Sequence, residues 1–165
     1  MKHIRTISFL LMVFILMVLI SGCWNYREID KFTIVTGTAI DKDEETGNFM
    51  ITVEVLEIQP GAQDVKTTTR ILTSEAETIF YAIRDLAKQT SERLYWSHAK
   101  TVIINRSLAD EGILPIIDFL ARDQETRFSM FLYISDKKTA KEIFQAKDVP
   151  SENVSYFLAE LKSIK

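Results

Sequence analysis

Hydrophobic and polar positions divide the 165-residue chain into three regimes. The first is the run ISFLLMVFILMVLI, Ile7 to Ile20, interrupted only by Ser8. Its fourteen residues are fewer than the roughly 20 that a membrane-spanning helix needs. The second regime is strand-like. TIVTGTAIDKD, Thr33 to Asp43, is rich in Thr, Ile and Val. DEETGN, Asp43 to Asn48, is a turn in which Gly47 takes a positive φ. FMITVEVLEI, Phe49 to Ile58, alternates in part and forms the second arm of a hairpin. A loop marked by Pro60 and Gly61 follows, and Thr68 to Leu72 predicts a third strand at a sheet edge.

In the third regime the period changes. Ala76, Ile79, Phe80, Ile83, Leu86 and Ala87 recur at helical spacing, so Ser74 to Gln89 predicts a helix. Ser74 followed by Glu77 reads as its capping box. Lys100 to Asn105 is a short apolar strand. Ser107 to Arg122 predicts a helix with Ser107 and Asp110 as the cap pair, bent or split at Gly112 and Pro115. RFSMFLYI, Arg127 to Ile134, is apolar at both parities and predicts a central, buried strand. Asp136 to Ala146 predicts a further helix. Pro150 ends it, and Ser151 caps a last helix towards Lys165. The fold class expected is α/β (α+β): a mixed sheet in which a hairpin and meander feed alternating helix–strand units, with helices covering the sheet. Phe80, Tyr81, Phe119, Phe128, Phe131 and Tyr133 are expected in its core.

Candidate chemistry is sparse. Gly37 stands alone in TGTAID, without the partners of a nucleotide-binding loop, and reads as a strand bulge or a close backbone approach. DKDEETGN resembles a calcium loop in composition only. Counted from Asp41, the sixth and twelfth positions are Thr46 and Thr52, where an EF-hand needs Gly and Glu. YWSHAK, Tyr95 to Lys100, is the densest stretch. Ser97 and His98 adjoin there, yet no nucleophile elbow or second histidine accompanies them after residue 22. The expected use of this stretch is structural: Tyr95 and Trp96 pack under the sheet, and His98 is hydrogen-bonded near the following strand. No metal-ligand spacing is present. LARDQETRF, Leu120 to Phe128, reads as a solvated, mixed-charge turn. These readings imply no catalytic residues, no cofactor and no metal.

The start of the chain is more informative. Lys2 and Arg5 precede the apolar run, and small residues Ser21 and Gly22 follow it, the layout of an export signal. LISGC, Leu19 to Cys23, resembles a bacterial lipobox. That resemblance implies cleavage before Cys23, acylation of its thiol and an anchor of lipid chains in the bilayer. The competing reading is an uncleaved signal anchor in which Cys23 takes no part. Cys23 is the single cysteine, so lipidation leaves no thiol for a disulfide, metal site or nucleophile. Lys2 and Arg5 are the only charges in residues 1–22, so their removal takes the formal charge from −3 to −5. That acidity disfavours nucleic acid as a partner.

GCWNYREIDKFTIVTGTAIDKD, Gly22 to Asp43, resembles the start of the Ger(x)C family of spore germination lipoproteins. Arg93 to Phe144, with its aromatic-x-His-x-Lys strand, LADEGI helix, DFLARD and KEIF, is similar to the same family's pattern. The family comprises the C subunits of nutrient germinant receptors in spore-forming bacteria. The resemblance implies a lipoprotein on the extracytoplasmic face of the spore inner membrane, anchored in membrane lipid through Cys23. It implies partnership with the integral membrane A and B subunits, a nutrient germinant bound by the complex, and no catalysis. The expected organisation is a signal peptide at 1–22, a tether at 23–32 and a Ger(x)C-like N-terminal α/β domain at 33–165. On this expected organisation the family's further C-terminal domains are not part of the chain. Two rival classes are a lipid-anchored extracytoplasmic solute-binding protein and an exported hydrolase. The first normally needs two lobes, and the second needs a convergent polar site.

Overall fold

The computed structural model describes residues 2–20, 32–60, 65–90, 92–123, 125–126, 129–146, 149, 151 and 153–163. Cys23 and most of the tether lie outside the described residues. The leading segment is one helix, α1 (Lys2–Ile20), whose large apolar side chains from Ile4 to Met17 are exposed. Its apolar part is short, and no helix among the described residues is long and apolar enough to cross a membrane.

The domain is built on a six-stranded mixed sheet. β1 (Phe32–Lys42) and β2 (Phe49–Pro60) form the predicted hairpin. Gly47 has φ +73° at the turn, and Asp43 Oδ1 accepts the N–H groups of Glu45 and Thr46 at 2.9 and 2.8 Å. β3 (Val65–Ala76) lies antiparallel beside β2. The chain then crosses through α2 (Ile79–Ala87) to β4 (Arg93–Tyr95) and β5 (Thr101–Asn105), both parallel to β1. α3 (Arg106–Glu111) and α4 (Leu114–Arg122) lead to β6 (Phe131–Ser135), which is parallel to β5. α5 (Lys141–Phe144) and α6 (Val154–Ser163) complete the chain. The order across the sheet is β3-β2-β1-β5-β6, with β4 pairing the start of β1.

Strand parity assigns the two faces. Ile51, Val53, Val55, Val102 and Ile104 form one core with Ile79, Leu86, Leu108 and Ile116 from α2, α3 and α4. Ala39 and Ile103 form the second with Phe144 and Val154 from α5 and α6. Helices therefore cover both faces of the sheet, and the α/β expectation holds.

Several local expectations are corrected. Ser74 does not open a helix: it lies in β3 opposite Ile51, because the twelve-residue ladder with β2 runs past it. The N-cap of α2 is Thr78, whose Oγ1 accepts the Tyr81 N–H at 3.2 Å. α3 is capped by Asn105, which accepts the Ser107 N–H at 2.9 Å, so the Ser107–Asp110 pair is not the cap. Gly112, at φ +125°, and Pro115 do split the segment into α3 and α4. The predicted 136–146 helix shrinks to the single turn of α5. At α6, Asn153 Oδ1 accepts the Tyr156 N–H at 2.9 Å, and Ser151 only braces Asn153.

The strand expected at the centre, β6, is the last strand of the sheet. Its Phe131, Leu132 and Ile134 are 36–40% exposed. Phe80 and Tyr81 are exposed rather than core, while Phe119 packs against the first core and Tyr133 against the second. Phe128 lies outside the described residues.

Candidate functional site

Two features stand out, one a surface and one a buried lock. The surface is a groove of about 810 Å³ between α2 and α4. Its floor is Ile83, Leu94, Trp96 and Phe119. Trp96 follows β4 and packs against the first core, so the sheet itself holds the floor in place. The rim is charged and paired: Arg93 with Glu125, and Arg122 with Asp118 at 2.9 Å. Phe80 and Arg84 border the groove from the exposed side of α2.

Among the described residues the groove lining holds no Ser, Thr, Cys or His. It supplies apolar area and charge, both elements of recognition. The YWSHAK stretch borders this groove. Ser97 Oγ donates to the Glu125 carbonyl at 3.0 Å, while the exposed His98 ring leans on Tyr95 with centroids 5.6 Å apart. The hydroxyl is held by a backbone acceptor and the imidazole by an aromatic neighbour, so the fold puts the two to different uses. Trp96 packs as expected. No group of three His, Cys, Asp or Glu side chains that could hold a metal occurs among the described residues.

The buried lock joins the sheet to α5 and α6. Glu54 on β2 is 1% exposed. Its carboxylate oxygens accept the Val154 and Ser155 N–H groups at 2.8 and 2.9 Å and the Thr36 hydroxyl at 3.1 Å. Asn153 Nδ2 in turn donates to Thr36 Oγ1 at 2.9 Å. A side chain from the middle of the sheet thus satisfies the first amides of α6, which have no partner within the helix. Asp41 on β1 does the same for α5, accepting the Ala140 and Lys141 N–H groups at 2.5 and 3.1 Å. Burial raises the Asp41 carboxyl above its ordinary value of 3.8, and those two amides pull it partly back. Gly37, at the β1 bulge, lets α6 approach: a Cβ there would stand 2.0 Å from Ser155 Oγ and 2.5 Å from Thr101 Oγ1. Both expected roles of Gly37 are therefore filled.

Sequence reasoning missed Glu54 and Asp41 as locks. The available signal was an acidic residue at an inward parity in an otherwise apolar strand. It missed the groove as well, because its walls come from four separate segments.

Comparison with known proteins places this architecture. The profile of the spore germination protein N-terminal domain matches residues 25–163. Spore germination protein A3 of Bacillus subtilis (strain 168) is 28% identical over 158 residues, covering 92% of this chain and 42% of that protein. Spore germination protein KC of the same organism is 26% identical over 150 residues, covering 84% and 37%. Putative spore germination protein YfkR is 26% identical over 161 residues, covering 91% and 41%. The chain thus spans about two-fifths of the length of these relatives. No solved structure matches. With its profile match running from Asn25 to Ser163, the chain belongs to the Ger(x)C family of spore germination proteins and carries the family's N-terminal domain.

Proposed function

We propose that the chain is a membrane-anchored lipoprotein subunit of a nutrient germinant receptor and takes part in triggering spore germination. The observation that carries this reading is the family match over residues 25–163, which begins directly after Cys23 and Trp24. In this reading residues 1–22 are a signal peptide and Cys23 is acylated. Residues 23–32 tether the domain of residues 33–165 to the extracytoplasmic face of the spore inner membrane. Two acyl chains hold a protein on a bilayer where one does not. The subunit is non-catalytic and works beside the integral membrane A and B subunits.

The α2–α4 groove is the surface assigned to those partners. It combines a rigid aromatic and aliphatic floor with a polar rim, the arrangement of a protein-binding patch. Its exposed border residues allow a test that spares the fold. Tagged protein is crosslinked in sporulating cells, and the membrane proteins that co-purify are identified. Recovery of two integral membrane germination subunits, reduced at least tenfold by Phe80→Asp with Arg84→Glu, supports the reading. Good expression without such partners overturns it. Partners that bind the double variant equally well would keep the receptor role and remove the groove from it.

A further inference from the structure

The first turn of α6 lies across a polar row of the sheet. Register sets Glu54 of β2 opposite Gly37 of β1, and Gly37 opposite Thr101 of β5. Residues opposite one another share a face, and α6 rests on this one. Glu54 accepts the Val154 and Ser155 amides, and a Cβ on Gly37 would run into both Ser155 Oγ and Thr101 Oγ1. Two groups in this seat are left without a bond. Thr101 and Ser155 are 0% exposed, and their hydroxyls have no partner among the described residues. A buried polar group that gains no partner opposes the packing that buries it.

Beyond its first turn the helix is lightly held. Asn153, Val154 and Ser155 are buried, Tyr156 to Ala159 are half-buried, and Glu160, Leu161 and Lys162 are exposed. Val154 and Leu158 reach the second core, and the Tyr133 hydroxyl donates to the Leu158 carbonyl at 2.7 Å.

We propose that α6 is a latch that opens as one unit while the sheet and α2, α3 and α4 stay folded. The bonds that close it run between polar groups that water serves equally well, so each favours closure only modestly. The hydroxyls of Thr101 and Ser155 recover water on opening and favour it. Ten residues of helix do not persist alone in water, so the bonds along α6 are lost together once the first turn lifts. Opening uncovers Glu54 and the apolar pair Ala39 and Ile103 on that face of the sheet. The first core contains no described residue of α6, so the opposite face and its groove keep their packing. The latch stands apart from the receptor reading and needs neither lipid nor partner subunits.

Hydrogen exchange of single amides, followed by NMR in the full chain in detergent, tests this. A sub-global opening gives its amides one shared protection below that of the core. The amides from Val154 to Lys162 are expected to share one protection factor, at least a hundredfold below those of Val53 and Ile103. Protection equal to these strands overturns the proposal. So does protection that climbs from Lys162 to strand-like values at Ser155 and Val154, which is fraying of a helix that stays docked. Thr101→Val checks the cause, because it removes one stranded hydroxyl without altering α6. It is expected to slow exchange along α6 at least threefold, and unchanged or faster exchange there overturns the proposal. If that variant does not fold, the pattern in the native chain decides alone.

Discussion

Glu54 and Asp41 are two carboxylates placed where strand parity alone would put aliphatic side chains. Each is stable there because helix amides supply the hydrogen bonds that water would have given. Glu54→Ala strands the Val154 and Ser155 N–H groups in the interior. Stranding two buried donors costs about 3 kcal/mol, to be read as a lower urea midpoint with an unchanged slope. Asp41 adds a pH dependence. A carboxyl whose pKa is raised by folding binds its proton more readily in the folded chain. Its contribution favours the fold below about pH 3.8 and is lost as the pH rises from there through the folded pKa. The stability of the native chain relative to Asp41→Asn should therefore be greatest in acid and fall to a plateau towards neutrality. A relative stability that stays flat from pH 3 to 7 would refute this account of Asp41. Asp43 and Asp136 act in the opposite sense. Backbone and hydroxyl hydrogen bonds from Thr46 lower the first, and Arg106 lowers the second. Both are unchanged by Asp41→Asn, so the difference between the two chains cancels them. At this scale Gly37 and Gly47 were legible, because a lone glycine between β-branched residues and a glycine in an acidic turn each have a local cause. Glu54 and Asp41 were not, because their partners lie about a hundred residues away.

Elements were recognised more securely than their ends. Periodicity identified β1, β2, β5, α2 and the split pair α3 and α4, and the structure moved their caps. Ser107 illustrates why. A serine ahead of an apolar repeat is a good cap in isolation, but Asn105 reaches further. It accepts the Ser107 N–H, and its amide donates to the Lys137 and Lys138 carbonyls, both at 3.0 Å. One side chain thus starts α3 and ties down the loop after β6. Asn105→Ala is expected to cost about 2 kcal/mol, since a cap and two part-buried hydrogen bonds are lost together. Ser107→Ala, measured beside it by thermal unfolding, is expected to stay under about 0.5 kcal/mol as an exposed change. Equal costs would return the cap to Ser107. The shift of α2 has the same kind of origin. β3 continues through Ser74 because β2 offers it a ladder partner at every position, so α2 starts only once the strand has ended.

For the molecule as a whole, the proposed anchor lies at one end and the proposed recognition surface on the domain. If Cys23 carries the lipid, cells labelled with palmitate should yield labelled protein from the native chain and none from Cys23→Ala at equal expression. Label that persists in the variant would place the modification elsewhere. The sequence by itself determined the leading apolar run, the β-then-α/β succession and the family pattern, because each is written in neighbouring residues: a run, a period, a motif. It also places the single cysteine, Cys23, just after the leading apolar run. Only the tertiary structure decided which strand is an edge, which acids cap which helices and where a groove opens. An apolar strand reads the same at the centre of a sheet as at its rim, and β6 was expected at the centre for that reason. Its place depends on whether another strand follows it in space. The groove depends likewise on four segments meeting, and the locks of α5 and α6 on bonds that span about a hundred residues. Local chemistry selects the elements; long-range hydrogen bonding and packing select their neighbours.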